Sequence, residues 1–547
     1  MNRALLAALL LALPCTLFPG ISARAAEAAA EKVPAPAPVS PQAAPPAAPS
    51  PAPSAGAPGE GSAPAPGENP EPPAEVKKQI ERNKASEAKS QELRAAALAH
   101  PNEVAYQVAY AQGLLDLGRT EEAVDAASSM AEKFPRSAEI MTVLGRALAR
   151  DGQFEVASVQ YKRALSLDAA NARTQSLAAG VSFIRGDLKG AEEGYRKALS
   201  LDPSLKDARS SLVILLARQG RYKEAQTALG EAGKGDPLMS GRFSLLPAFI
   251  KDPPFALPAS FKKVSIPFVT AKGYPPFVRI KVNGGTEKLF VVDTGSEEIL
   301  LTSGTAKALG LPEKGEGTIK DSEGRDHQTP AYVMLDSFTI ADLVIKRIPA
   351  RVTPGLAYPD EQIGGSIGRD LLRRFRITLD YGAKSLTLAR GGGPPLDGAP
   401  FDIANVILVE GYRGDRAIGK FIIDTSSYTP GAMDIPFVAR EVGLTIYSAG
   451  VKPIPEGPYL FKFTMPDLKV GDASFENFPA TAVDLRQMAR QLGVSVRGVV
   501  GNSLLRQCRL DIDFENQRLS LHRTAPAPAS APAATPAAGG GDSEPGS

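Results

Sequence analysis

One segment of this chain is written twice. Phe290-Val291-Val292-Asp293-Thr294-Gly295-Ser296 recurs 131 positions later as Phe421-Ile422-Ile423-Asp424-Thr425-Ser426-Ser427. Each copy is an apolar, β-rich run that delivers an aspartate, a threonine and small turn residues at its end. Gly365-Ser366-Ile367-Gly368, Leu371-Leu372 and the stretch from Arg376 to Tyr381 reappear as Gly498-Val499-Val500-Gly501, Leu504-Leu505 and Arg509 to Phe514, at an offset of 133. Phe338 to Ala350 parallels Leu468 to Ala480 at an offset of 130. Blocks in one order with slowly drifting offsets predict a duplicated β unit with small loop differences. Such a duplication can bring two carboxylates face to face.

A second periodicity lies upstream. Four 34-residue units begin at Pro101, Pro135, Ala169 and Pro203. Gly118, Gly152, Gly186 and Gly220 recur at that spacing, as do Ala123, Ala157, Ala191 and Ala225. The glycine ends one helix and the alanine lets the next pack closely against it. The pattern resembles the tetratricopeptide repeat (TPR), which implies stacked helix pairs in a curved solenoid over residues 75–236, with a capping helix near 75–98. In that family the concave face holds a peptide or partner protein; a passive spacer or a dimerisation element is the competing role.

Composition limits the rest. The 547 residues carry a net charge of +2, too weak a field to point to nucleic acid or anionic lipid. Arg373, Arg374 and Arg376 read as a solvated face. The three histidines, His100, His327 and His522, fall at a helix–loop junction, a loop and a strand end. So few imidazoles disfavour a Ser-His-Asp triad or a His-ligated zinc, and no metal or cofactor is expected.

Residues 1–25 have the form of an export signal: Asn2-Arg3, an apolar core from Leu5 to Phe18, and Ala23-Arg24-Ala25 before the cut. Residues 26–74 form a Pro/Ala-rich linker and 524–547 a similar tail, both expected to be unstructured. After cleavage only Cys508 remains, so no internal disulfide is expected; its alignment with Phe375 suggests an apolar filler. The mature chain has no expected membrane span and is placed in the periplasm or cell envelope, or outside the cell.

Residues 258–392 and 397–523 resemble the small retropepsin-like lobes of aspartic peptidases, fused in tandem as in the pepsin architecture. The expected fold class is therefore multidomain: an all-α TPR solenoid followed by an all-β bilobal protease-like region. The resemblance implies an exported endopeptidase with Asp293 and Asp424 as a catalytic dyad acting on peptide or protein. It gives Thr294 and Thr425 interlocking hydroxyl contacts and Gly295 a turn close to the aspartates. Ser296 and Ser427 would orient the carboxylates. It also implies a hairpin flap at 315–330, turning at Asp321-Ser322-Glu323-Gly324, and a shorter counterpart at 450–458. Ser426 departs from the pattern, where glycine is expected. A serine straining that loop would leave a second reading, an inactive protease-like scaffold that binds proteins in the envelope.

Overall fold

The computed structural model describes residues 74–234, 241–270, 275–315, 318–320, 326–353, 362–427, 429, 431–443 and 461–524. The expected export signal, nearly all of the proline-rich linker, the tail beyond Thr524, the turn at 321–324 and the stretch at 450–458 lie outside them.

Helix α1 (Ala74–Ala99) precedes four helix pairs. These are α2 (Val104–Asp116) with α3 (Thr120–Lys133), α4 (Ala138–Arg150) with α5 (Phe154–Leu167), α6 (Ala172–Ile184) with α7 (Leu188–Leu201), and α8 (Lys206–Arg218) with α9 (Tyr222–Lys234). The first helix of each pair runs into a glycine with φ of +77°, +84°, +82° and +75° at Gly118, Gly152, Gly186 and Gly220. That left-handed conformation stops a helix and carries little cost only without a Cβ. The repeating alanines are fully buried at each crossing. At Gly145 a Cβ would fall 2.8 Å from the Tyr161 ring, so the tyrosine of one helix seats on the glycine of its partner.

A short helix α10 (Leu246–Lys251) leads into the β region. Lobe 1 is a closed barrel of β2 (Phe277–Val282), β3 (Glu287–Val292), β9 (Ile363–Ile367), β4 (Leu300–Thr302), β8 (Leu343–Thr353) and β7 (Ala331–Ile340), in that order. Lobe 2 repeats the order with β13 (Ile407–Arg413), β14 (Arg416–Ile423), β18 (Gly498–Val500), β15 (Ala432–Asp434), β17 (Ala473–Val483) and β16 (Phe461–Val470), closed by pairing of β13 with β16. The register is duplicated too. Phe290 pairs in parallel with Gly365, and Phe421 with Gly498.

A six-stranded sheet joins the lobes: β1 (Lys263–Pro267), β11 (Ser385–Arg390), β10 (Phe375–Asp380), β19 (Cys508–Asp513), β20 (Arg518–Arg523) and β12 (Ala399–Ile403). Three strands come from each side. Alternating burial along β10 turns Phe375, Ile377 and Leu379 into one apolar core shared with Leu510 and Ile512. Cys508 is fully buried beside them, and burial pushes its thiol up to about 12, as suits an inert filler.

The solenoid meets the lobes along one edge, where the two helices of each pair turn. Arg486 and Arg490 lie against Gly118, Lys420 and Val494 against Gly152, and Gln517 against Gly186. Ser495 N donates to Arg150 O at 2.6 Å, and Arg497 pairs with Asp151 at 2.8 Å. One apolar cluster runs from Ile140 and Phe154 of the helices to Ile422, Val496 and Val499 of lobe 2.

Two placements differ from expectation. His327 lies in strand β6 (Asp326–Gln328), paired with β5 (Thr318–Lys320), rather than in a loop; the hairpin's backbone pairing makes it a strand position. The arginines at 373, 374 and 376 do not form a solvated face. Arg373 pairs with Glu297 and Asp370, Arg374 stands over the Phe255 ring, and Arg376 pairs with Asp513 at 2.6 Å. Their partners come from distant segments, which local charge density cannot reveal.

Candidate active site

Strands β3 and β14 end side by side, and their continuations form the site. The polypeptide holds Asp293 by its N–H donating to Ile367 O at 3.1 Å, and Asp424 by its N–H donating to Val500 O at 3.2 Å. Both lobes thus use the same anchor. The two loops then grip each other. Thr294 N donates to Thr425 Oγ1 and Thr425 N to Thr294 Oγ1, each at 3.0 Å. Thr294 Oγ1 donates onward to Ile423 O at 3.0 Å, and Thr425 Oγ1 to Val292 O at 2.6 Å. Each hydroxyl accepts one bond and gives one across the pseudo-twofold axis. All four bonds are buried, where a lost partner costs about 1–3 kcal/mol.

The carboxylates sit just above this grip, both buried. Asp293 Oδ1 accepts from the N–H groups of Gly295 and Ser296, both at 3.0 Å. Ser296 thus orients the aspartate through its backbone, while its hydroxyl donates to Glu298 O at 3.2 Å. Asp424 Oδ1 accepts from Ser426 N at 2.8 Å and from Ser426 Oγ at 2.7 Å. Ser427 N donates to the Asp424 carbonyl at 3.3 Å. Gly295 is required by proximity: a Cβ there would lie 2.6 Å from Asp424 Cγ and 2.7 Å from both of its carboxylate oxygens. The lobe 1 turn therefore touches the lobe 2 acid.

Ser426 does not strain its loop. It is not among the residues with positive φ, so its backbone asks for nothing that only glycine supplies. Its hydroxyl instead becomes a ligand of the acid pair.

Burial, then the charge of Asp424, push Asp293 from 3.8 up to about 6, against the Ser426 hydroxyl, the Ser296 N–H and the Arg369 charge. Burial likewise raises Asp424, opposed first by the Ser426 hydroxyl and N–H. Two acids in one buried site cannot both ionise cheaply, so they titrate as a pair.

Three charged residues beside the site carried no motif. Arg369, 1% exposed, donates from Nη1 to Thr294 O at 2.5 Å and from Nη2 to Asn405 O, tying the lobe 1 loop to lobe 2. Its counterpart in the second copy is Asn502. Glu297 and Glu298 follow Ser296 directly and face a cluster of arginines from four parts of the chain. Glu297 pairs with Arg218 of α8 at 2.5 Å and with Arg242 and Arg373 at 3.3 Å. Glu298 pairs with Arg351 at 2.7 Å. Those arginines hold the Glu297 carboxyl well below the usual range despite its burial. The only sequence signal was the Glu-Glu pair itself, present in one copy and absent from the other. Among the described residues no group of His, Cys, Asp and Glu is placed to hold a metal ion.

Residues 278–371 match the family model described as aspartyl protease. The chain carries an aspartyl protease-like domain. TPR-type repeats precede the protease-like domain, and solved TPR structures are among its matches. A thermophilic TPR protein of Thermus thermophilus shares 22% identity, covers 32% of this chain and 97% of its own, and gives a TM-score of 0.27. MamA of Desulfovibrio magneticus RS-1 shares 19%, covers 29% of this chain and 90% of its own, with a TM-score of 0.25. The first TPR of Spaghetti (RPAP3), bound to an HSP90 peptide, shares 22% and covers 19% of this chain and 83% of its own, with a TM-score of 0.19. No curated protein matches the chain significantly.

Proposed function

We propose that the protein is an exported aspartic-type endopeptidase whose dyad is Asp293 and Asp424. The observation that carries this reading is the reciprocal threonine grip, which holds two buried carboxylates together with raised proton affinity. With one proton shared, the ionised member takes a proton from water as the oxygen attacks the peptide carbonyl carbon. The protonated member donates to the carbonyl oxygen. Collapse of the resulting gem-diol breaks the C–N bond, and a proton passes to the leaving amine. No group beyond the two acids is needed for that balance.

The β5–β6 hairpin supports a flap over a peptide backbone, in the 315–330 stretch. The repeats are read as the element that holds a protein substrate or partner, on surface other than the turn edge already occupied. Export rests on the leader pattern of residues 1–25; among the described residues no helix is long and apolar enough to cross a membrane.

The test is cleavage of a fluorescence-quenched peptide library and of an unfolded protein between pH 3 and 7. Asp293→Asn and Asp424→Asn should each lower kcat/KM by roughly 100-fold or more. Wild-type protein that cuts neither substrate, or variants that cut as well as wild type, would end the peptidase reading.

A further inference from the structure

A cavity of ≈ 100 Å³ opens between α8, α10 and lobe 1, with Glu297 and Glu298 in its lining. Its wall has two chemistries. Part of the lining is apolar, with Ile214, Phe243, Leu246 and Phe255 among its side chains, and Arg242 and Arg374 stand over the Phe243 and Phe255 rings. The rest is the arginine cluster described above with its glutamates, joined by Arg374 and Asp370. Five guanidiniums against three carboxylates leave an excess of two positive charges in a partly enclosed space.

That excess can be followed to single atoms. Arg218 Nε, Arg242 Nη1 and Arg374 Nε are buried without a hydrogen-bond acceptor. Charged donors left in that state carry a desolvation cost of at least about 1–3 kcal/mol each. The acids nearby pair with other groups of the cluster, Glu297 with three arginines and Glu298 with Arg351 and Arg242, although Glu297 Oε2 accepts no hydrogen bond. Burial, and then the charge of Arg218, push Arg373 down to about 10, as expected for a cation held among cations.

A neutral apolar guest would leave these donors unpaired, and a bare inorganic anion would leave the aromatic wall uncovered. The complement of both is an anionic head on a compact apolar body. Guanidinium forks match a carboxylate head in particular. We propose that this junction cavity binds a monocarboxylate with a branched or aromatic apolar body, its carboxylate answering the unpaired guanidinium N–H groups and its body lying against the phenylalanine wall. Two sources share that chemistry: the C-terminal residue of a peptide, and a free organic acid. The site does not depend on hydrolysis, although Glu297 lies only four residues past Asp293.

Isothermal titration calorimetry on the full chain carrying Asp293→Asn tests binding apart from any cleavage. The probes are N-acetylleucine, its neutral amide, 4-methylpentanoate and inorganic phosphate, each at millimolar concentration. One-to-one binding of either carboxylate, with the amide and phosphate weaker by about tenfold or more, is the expected result. N-acetylleucine binding alone identifies the peptide terminus; equal or tighter binding of 4-methylpentanoate identifies the free acid. Arg374→Met, which breaks none of the ion pairs named above, should weaken the carboxylate by about tenfold, and Arg242→Met should do the same. Amide or phosphate binding as tightly as the carboxylates would overturn the site. So would no heat from any probe, or undiminished binding in folded Arg374→Met.

Discussion

Thr378 and Asp511 face each other across the β10–β19 pair, and each is the other's counterpart in the duplicated sequence. The threonine hydroxyl donates to the aspartate across that step. It is the one register position in this pairing where a residue meets its own duplicate, so the pseudo-twofold axis passes between them. The threonine grip, with its paired 131-residue spacings, marks the same axis at the site.

Gly295→Ala should abolish peptide cleavage while leaving most of the fold intact. The new methyl would fall 2.6 Å from the Asp424 carboxyl carbon and must displace that acid. A shift of order 1 Å at a reacting group costs about 100-fold in rate. Steady-state cleavage with a circular dichroism spectrum as control reads both outcomes.

Thr425→Val removes a donor to Val292 O and an acceptor for Thr294 N, both buried. The expected cost is about 2–4 kcal/mol, measured by urea denaturation of the β region. Thr294→Val acts on the same network, so the double variant should cost clearly less than the two single losses combined. Full additivity would show that the hydroxyls do not act as a unit.

Ser426→Gly tests the departure from the usual turn. Its hydroxyl favours the ionised form of both Asp293 and Asp424. Removing it should raise the pair's proton affinity, so the alkaline limb of the kcat/KM profile, expected near pH 6 in the wild type, should move upward. A simple gain in rate with no displacement of that limb would instead indicate relief of strain.

The stability profile has a definite sign. Because Asp293 is raised in the folded state from 3.8 to about 6, its contribution is complete below the ordinary carboxylate pKa and is lost as pH rises through about 6. The full change is on the order of 3 kcal/mol. Urea midpoints should therefore show this loss between about pH 4 and 6, and Asp293→Asn should flatten it. Glu297, held low by its arginines, acts oppositely: its contribution is present at neutral pH and vanishes only in acid.

Arg218→Ala should weaken both stability and cleavage, although Arg218 belongs to the repeats. It leaves Glu297, 2% exposed, short of its closest cation. Breaking a buried pair costs about 3–5 kcal/mol. Partial restoration by Glu297→Gln in the same chain, in urea melts and in kcat/KM, would tie both effects to this pair.

Much of this was legible in the residues because the duplication survives as blocks in one order and the helical period as an exact 34-residue spacing. The duplicated β unit, the paired aspartate loops and the four glycine-ended helices follow from repeats whose partners recur in the same order. The arginine cluster was not legible. Arg218, Arg242, Arg351 and Arg373 come from α8, a following connection, β8 and the turn after the short helix Arg369–Leu372, with no shared interval to reveal that they converge. Arg369 was missed for a related reason: only one copy has it, and its work is done on backbone carbonyls, which leave no signature in composition. Ser426 was visible as a departure, but whether it strains its loop was not, because a turn's φ cannot be read from its neighbours' names.

The docking edge of the solenoid has a mechanical corollary. Its first two repeats are fastened to lobe 2 through Ser495 and Arg497, which contact Thr120, Glu121, Arg150 and Asp151, and its fourth to lobe 1 through Arg218. The helical stack is thus an external brace across the two lobes. Any hinge motion that spread them to admit or release a chain would have to stretch a quasi-one-dimensional spring of stacked units, so stiffness set in the repeats would be felt at the acids.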